Sequence, residues 1–206
     1  MNDLYSSLDK MIERMIQGQQ VKFTSSEFRY YSESVSPVEG SELQFDQSIL
    51  DFYQSIDFVN VQWFLKEDAS VKPLDPDTEI VSGSVNILPV KRVLEILDKQ
   101  ESPQVVDPYH TLDDARYNQL TNFVPFDVKS GGGAVGFISK ENVVKDSLYL
   151  VSEDGEAFLT PLNTNCKNYF EKGIDLLFFS NWQKVTFLNS GQAEKTIKHY
   201  ITQILK

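Results

Sequence analysis

Residues 58–66, FVNVQWFLK, alternate between apolar and polar side chains, and this pattern most constrains the fold. Successive side chains of a β-strand point to opposite faces of a sheet, so the alternation predicts a strand with one buried face. The side chains predicted to be buried are Val59, Val61, Trp63 and Leu65. A face of this kind has to be covered by a second layer of structure.

Five other segments carry apolar side chains at helical spacing and are predicted to form helices. Asp46 is a suitable N-cap for the second of them, and Pro89 opens the third in a position that proline favours. Thr164 or Asn163 caps the fourth, which contains Gly173. The predicted helices lie at residues 3–17, 47–56, 89–99, 166–179 and 191–205.

Further strand-like or extended segments are predicted at residues 21–33, 80–88, 122–128, 134–140 and 146–152. Asp154-Gly155 indicates a two-residue hairpin turn, because glycine readily adopts the positive φ that such turns need. The segment LDDARYNQL, residues 112–120, fits one helical turn. The order of elements predicts an α+β fold: a single domain over residues 1–206, with a mixed or mainly antiparallel sheet and helices packed around it.

The glycine triplet at residues 131–133 could be a phosphate-binding loop or a turn. A phosphate loop of the Walker type continues into Gly-Lys-Ser/Thr and a helix, and a dinucleotide fingerprint also precedes a helix. Here the triplet is followed by AVGFISK, which has a strand pattern. We therefore predict that Gly131, Gly132 and Gly133 join two strands, and we predict no cofactor.

The chain has 206 residues, a net charge of −11 and a sequence pI near 4.6. Proteins that bind nucleic acid rely on clustered Lys and Arg, so this balance predicts no nucleic-acid partner. The acidic charge can serve solubility alone, or it can orient encounters with a basic partner. Apolar stripes on the two terminal helices could close the core or support a dimer.

Cys166 is the one cysteine, so no intramolecular disulfide can form, and this fits a reducing compartment. It is predicted in the first turn of a helix, where the helix dipole would lower the pKa of its thiol. The first 20 residues lack the apolar region of a signal peptide, and no run is long enough to span a bilayer. These features predict a cytoplasmic protein with no membrane partner.

Catalytic and metal-binding patterns are weak. Asp75 to Glu79 alternate like the start of a calcium loop but lack its glycine and its distal glutamate. His110, Asp113 and Asp114 lack the second imidazole that zinc sites usually have. No nucleophile with a nearby base is apparent, so we predict no catalytic residue, no metal site and no enzymatic activity.

Several segments resemble the SUKH (Smi/Knr-like) superfamily. LQFDQSILDFYQSIDFVNVQWFL resembles its early helix and Trp-bearing strand, and SGSVNILPVKRVLEI resembles the next strand and helix. FVPFDVKSGGGAVGFI is similar to the segment that leads into the family's central hairpin, and SLYLVSEDGEAFLTPLNTNCKNYFEKGI is similar to the later hairpin and closing helix. The resemblance covers residues 42–182. The family's Asn-Gly pair is absent here, and Leu43-Gln44-Phe45 replaces its Leu-Pro, so a divergent member is expected.

The resemblance implies protein binding without chemistry. Bacterial SUKH members include immunity proteins that neutralise toxins, and fungal members are regulatory scaffolds. We expect an immunity-type protein whose partner is a basic, nuclease-type toxin domain; a scaffold of the same fold is the alternative, and an unrecognised enzyme is a third possibility. Two acidic loops are candidate partner-binding sites, although both could simply be solvated. Their residues are Glu67, Asp68, Asp75, Asp77, Glu79, Glu153, Asp154 and Glu156.

Overall fold

The structure is a computed structural model that describes residues 3–29, 43–71, 81–107, 112–129, 133–151, 158–180, 182–187 and 191–206. The fold is α+β, as predicted, with helices and a mixed sheet. The helices are α1 Asp3–Gly18, α2 Gln47–Ser55, α3 Val90–Asp98, α4 Ser102–Val106, α5 Asp114–Gln119, α6 Cys166–Asp175, α7 Trp182–Phe187 and α8 Gly191–Ile204. The strands are β1 Val21–Arg29, β2 Gln44–Phe45, β3 Phe58–Leu65, β4 Ser82–Ile87, β5 Phe123–Val128, β6 Ala134–Lys140, β7 Val143–Val144, β8 Tyr149–Val151 and β9 Leu159–Pro161.

The chain divides into two compact units. Unit 1 comprises Met1–Phe28, Asn60–Val85 and Tyr169–Lys206, and unit 2 comprises Arg29–Val59 and Asn86–Asn168. Each unit is therefore assembled from segments that are distant in sequence. That residues 1–206 form a single domain stays a prediction.

Unit 1 has an aromatic core around Trp63. The Trp63 Nε1–H donates a hydrogen bond to the Leu177 carbonyl oxygen at 2.8 Å, and its ring lies 5.7 Å from that of Phe179. Gly83 lies against the Trp63 indole, where any side chain at position 83 would overlap it. The predicted alternation of β3 is confirmed for Val59, Val61 and Trp63, which are fully buried, whereas Leu65 at the end of the strand, also predicted to be buried, is only partly buried.

Unit 2 is built on the antiparallel hairpin of β5 and β6, with Phe123 opposite Ile138 and Val128 opposite Ala134. β6 also pairs with β8 and with β7, and β8 pairs with β9, all antiparallel. The short strands β2 and β7 pair in parallel, which makes the sheet mixed. The rings of Phe52 and Phe126 lie 5.2 Å apart and belong to the core of this unit.

The glycine triplet is confirmed as a connection between two strands, since β5 and β6 pair on either side of it. Gly133 has a φ of +81°, and its carbonyl oxygen accepts a hydrogen bond from the Lys129 N–H. Gly131 and Gly132 lie outside the described residues. The antiparallel pairing of β8 with β9 agrees with the predicted hairpin, whose Asp154-Gly155 turn also lies outside them.

Three predicted helix boundaries were wrong. Pro89 is the N-cap of α3 and not its first helical residue. The Asn165 side chain, and not that of Asn163 or Thr164, accepts the hydrogen bond from Asn168 N–H at the start of α6. This helix ends at Asp175 because Leu177 and Phe178 have positive φ, which turns the Phe178 ring back against Gly173. Gly173 is required inside the helix for this reason.

Candidate functional site

The structure describes two of the eight acidic residues that the sequence analysis proposes for partner binding. Glu67 and Asp68 are exposed in the turn that follows β3. Their contact with a partner stays a prediction. The other six lie outside the described residues: Asp75, Asp77, Glu79, Glu153, Asp154 and Glu156.

The acidic charge of the chain is concentrated in unit 2. That unit holds 18 of the 30 acidic and 9 of the 19 basic side chains, a net charge of −9. Unit 1 holds the remaining 12 acidic and 10 basic side chains, a net charge of −2. A basic partner would therefore be attracted mainly by unit 2.

The clearest group of interface-type side chains in unit 2 lies on and beside α5. We call it the α5 patch and define it by Asp113, Asp114, Arg116, Tyr117 and Phe158. Asp113 is the N-cap of α5, and its carboxylate accepts a hydrogen bond from the Arg116 N–H at 2.8 Å. This cap satisfies one of the free N–H groups of the first turn and fixes where the short helix begins.

Two aromatic side chains of the α5 patch are held by polar neighbours. Tyr117 is 37% exposed, and its hydroxyl accepts a hydrogen bond from Gln104 Nε2 at 2.7 Å. The Arg116 guanidinium lies 5.6 Å from the centre of the Phe158 ring, within the range of a cation–π contact. The patch thus presents tyrosine and arginine, two residue types that often supply binding energy in protein interfaces.

A buried apolar cluster supports the α5 patch from below. Leu120 and Phe123, which follow α5 directly, belong to it and are fully buried, and Phe158 packs against it. Phe158 comes directly after the segment that carries Glu153, Asp154 and Glu156. Phe158, the residue that follows this segment in the sequence, therefore lies at the α5 patch.

Sequence reasoning did not single out Tyr117 as a candidate site residue. The segment was predicted as a helical turn, which α5 confirms, but no role was assigned to its side chains. An available signal was the N-cap aspartate followed three residues later by Arg116, with Tyr117 next to it in an otherwise polar segment. What the sequence could not show is that Gln104 and Phe158 hold these two side chains.

A second group of polar side chains in unit 2 surrounds the buried Cys166. The Asp146 carboxylate accepts hydrogen bonds from the Cys166 N–H at 2.8 Å and from its thiol at 3.4 Å. The Asp46 carboxylate accepts in turn from the Asp146 N–H at 3.0 Å and lies 3.4 Å from Lys145 Nζ. Asp46 occupies the N-cap position of α2 as predicted, but its side chain forms no capping hydrogen bond to that helix.

The Cys166 thiol does not have the depressed pKa that its helix position suggested. Burial and the neighbouring Asp146 carboxylate raise the pKa of this thiol far above its ordinary value, and the favourable backbone N–H groups do not offset them. The prediction based on the helix dipole was therefore wrong, because the thiol is fully buried. A protonated, buried thiol is a poor nucleophile.

Tyr53 lies close to the same group. Its hydroxyl is buried and has no hydrogen-bond partner among the residues that the structure describes. Burial, followed by the charges of Cys166 and Asp57, raises the pKa of Tyr53 far above its ordinary value. Neither the phenol nor the thiol therefore supplies an anion at neutral pH, and the arrangement offers no activated nucleophile.

The weak metal candidates are not assembled into a site in the described part of the chain. Among these residues, no group of three or more His, Cys, Asp or Glu side chains is placed to hold a metal ion. Asp113 acts as a helix cap beside Asp114. His110 and the segment Asp75 to Glu79 lie outside the described residues.

Comparisons with protein-family models, with curated proteins and with solved structures found no match to this chain. The resemblance to the SUKH superfamily therefore stays a prediction. Among the described helices, none combines the length and the apolar character that crossing a membrane requires.

Proposed function

We propose that this chain is a non-enzymatic protein-binding domain, an immunity-type protein of the SUKH kind that neutralises a basic toxin domain by direct contact. The observation that carries the proposal is the α5 patch, where Arg116 and Tyr117 lie exposed in the more acidic unit. The buried state of Cys166 and Tyr53 supports a role without covalent chemistry.

The α5 patch has the composition of a binding surface. Interfaces concentrate their energy in a few aromatic and arginine side chains, which neighbouring polar groups shield from water. Tyr117 is already held by Gln104, and Arg116 by Asp113 and Phe158, so little side-chain freedom would be lost on binding. The negative field of unit 2 would attract and orient a basic partner before these contacts form.

The proposal is tested by a pull-down from the native organism with wild-type protein and with Tyr117→Ala as baits. We expect the wild type to recover one stoichiometric basic protein, and the variant to bind it at least about tenfold more weakly, as for a typical hot-spot residue. Ile16→Ala is the matched control, because Ile16 is an exposed apolar side chain of unit 1. This control should bind like the wild type.

A third bait, with Lys at Asp75, Asp77, Glu153 and Asp154, tests the predicted acidic loops. Loss of the same partner would place these loops in the interface, and full retention would remove them from it. Recovery of a large housekeeping complex would favour a regulatory scaffold over an immunity protein. Absence of any tight partner, with a bait shown to be folded by circular dichroism, would contradict the proposed function.

A further inference from the structure

A long strand of unit 1 lies at an edge of the sheet. Among the residues that the structure describes, β1 pairs only with β3, and its nine residues make it the longest strand. β2 and β9, which also have one described neighbour each, are two and three residues long. An edge strand carries N–H and C=O groups that can pair with another strand. β1 is therefore a surface on which a further strand can be added.

The hydrogen bonding next to β1 shows which of its backbone groups point outward. The carbonyl oxygen of Gln20, directly before β1, accepts a hydrogen bond at 2.9 Å from the N–H of Lys66, directly after β3. Successive residues of a strand direct their backbone groups to alternate sides. Val21, Phe23 and Ser25 therefore direct theirs away from β3.

The helix α1 lies along β1 and leaves an apolar side chain exposed beside it. The Tyr5 ring lies 5.1 Å from that of Phe28, near the far end of β1, while α1 ends at Gly18, shortly before β1 begins. The helix therefore runs antiparallel to the strand, with Ile16 beside the first residues of β1. Ile16 is 59% exposed, more than any other large apolar side chain in the described part of the chain.

Ile16 lies on the side of α1 that is turned away from α8. A side chain at Gly18 would meet the carbonyl oxygen of Ile204 in α8, so that side of α1 faces α8. Around a helix with 3.6 residues per turn, Ile16 lies roughly 160° from Gly18 and roughly 20° from Tyr5. Tyr5 contacts the edge strand, so Tyr5 and Ile16 form one stripe on the side of that strand.

The segment that forms α1 and β1 carries no net charge. Residues 3–29 hold four acidic and four basic side chains, in a chain whose net charge is −11. Two copies of an acidic protein repel each other, and this repulsion is weakest where the surfaces that meet are neutral. The charge here thus suits a second copy of the chain better than it suits a strongly basic partner.

We propose that two copies of this chain form a dimer by antiparallel pairing of β1 with itself. A twofold axis at Phe23 would pair Val21 of each copy with Ser25 of the other, and all three residues direct their backbone groups outward. Buried and exposed side chains alternate regularly over residues 21–25, so this part of β1 is suited to pairing. The two α1 helices would then lie side by side, with Ile16 covered. The α5 patch takes no part, so the proposal is independent of the proposed function.

The test is sedimentation equilibrium of the full chain, for which we expect a dimer with a Kd of about 10 µM or below. Ile16→Lys changes an exposed helix position and places two like charges near the axis, so it should weaken the dimer at least about tenfold. Gln17→Lys is the matched control, because it adds the same charge at the next exposed position of α1. It is turned about 100° away from Ile16 around the helix and should change the Kd less than about twofold.

Hydrogen exchange followed by NMR tests the strand pairing itself. The N–H groups of Phe23 and Ser25 should exchange more slowly as the protein concentration rises, because they are paired only in the dimer. The N–H groups of Lys22 and Thr24 point to β3 and are internal controls that should not respond to concentration. Ile16→Lys should remove the concentration dependence at Phe23 and Ser25.

A chain that stays monomeric at about 200 µM, well above the expected Kd, would overturn the proposal. Equal weakening of a dimer by Gln17→Lys and Ile16→Lys would also overturn it, since this would show general charge repulsion. A dimer whose Phe23 N–H exchanges fast at every concentration would place the interface elsewhere. Slow exchange of this N–H in a monomer would show that another segment of the same chain occupies the edge, which would equally contradict the dimer.

Discussion

The groups around Asp57 have opposite effects on the pKa of its carboxyl group. Its side chain is 14% exposed, and Arg29 Nη2 lies 3.9 Å from its Oδ2 atom. Burial raises the pKa of Asp57, while Arg29 and a hydrogen bond from the Val90 backbone lower it, and burial is the largest of these effects. The Arg29 guanidinium also lies over the Phe58 ring, so it makes a cation–π contact in addition to its ion pair with Asp57. The net result is that Asp57 ionises less readily in the folded protein than in the unfolded chain.

This raised pKa predicts a pH dependence of stability. In the unfolded chain Asp57 ionises near its ordinary pKa of 3.8, and in the folded protein at a higher pH. Between these two values the folded state binds the extra proton, so the contribution of Asp57 to the free energy of unfolding falls as the pH rises. Asp57→Asn removes this term. We expect the stability of the wild type relative to this variant to decrease as urea unfolding is measured from pH 3 to pH 7 (about four decades of proton concentration).

Arg29→Gln supplies the comparison for that experiment. Without the guanidinium the pKa of Asp57 should rise further, because the largest force that lowers it is gone. The loss of stability with rising pH should therefore be steeper in Arg29→Gln than in the wild type. A pH profile that is the same for wild type and Asp57→Asn would contradict the account of this site.

At the scale of elements, the start of α6 depends on a carboxylate that is distant in sequence. Asp146 accepts from the Cys166 N–H and thiol, and Asp46 holds the Asp146 backbone in turn. Asp146→Ala would leave the first amide of a partly buried helix end without its acceptor, and the thiol with only the Ser48 carbonyl oxygen at 3.8 Å. We expect a loss of about 1–3 kcal/mol in the free energy of unfolding, measured by urea denaturation.

The labelling rate of the Cys166 thiol provides a second measure of its contact with Asp146. Cys166 is fully buried and its pKa is raised, so a reagent such as DTNB should label it only when the region opens. Asp146→Ala should label at least about fivefold faster than the wild type, since weaker packing makes opening more frequent. The control is Asp98→Ala, an exposed aspartate of the same unit. Labelling that is equally fast in the wild type and Asp146→Ala would show that Asp146 does not hold this helix end.

Most elements of the fold could be predicted from the sequence because their signals are local. Alternation located β3, and helical periods located α1, α2 and α8 within about two residues, which is ordinary precision for helix ends. The connections that hold these elements were not predictable in the same way. The Asp146 contact with Cys166 joins positions 20 residues apart, and the Trp63 hydrogen bond to Leu177 joins positions 114 apart. No local pattern encodes either of them.

The candidate site shows the same division. The acidic loops could be proposed from the sequence, because acidic residues are recognised without knowledge of the fold. Tyr117 gains its significance from Gln104 and from the Arg116 contact with Phe158, 42 residues further along the chain. The hydrogen bond from the Ser70 N–H to the Gln20 side chain likewise joins positions 50 residues apart. Such surfaces become visible only once the fold is known.

At the scale of the whole molecule, the uneven charge of the two units should affect stability as well as binding. A net charge of −9 in unit 2 repels itself, whereas the −2 of unit 1 is nearly balanced. Repulsion between exposed charges destabilises a compact state, and it weakens as salt shortens the range of the interaction. Removing an exposed negative charge should therefore stabilise unit 2 more than unit 1.

Two pairs of matched positions allow this comparison. Asp98 and Asp175 are exposed aspartates at the last residue of α3 and α6, in units 2 and 1 respectively. Glu141 and Glu67 are exposed glutamates in turns of the same two units. Because both aspartates end a helix, the helix-dipole effect at these two positions is similar and largely cancels in the comparison.

We expect the double variant Asp98→Asn/Glu141→Gln to gain a few tenths of a kcal/mol more unfolding free energy than Asp175→Asn/Glu67→Gln at low salt. The difference should shrink in about 0.5 M NaCl, where the Debye length falls to roughly 4 Å. Thermal unfolding followed by circular dichroism at the two salt concentrations measures both values. Equal gains in the two units, or a difference that salt leaves unchanged, would show that the charge surplus of unit 2 is spread too thinly to act on its stability. The same result would weaken the proposed electrostatic attraction of a basic partner, because that attraction depends on the same field.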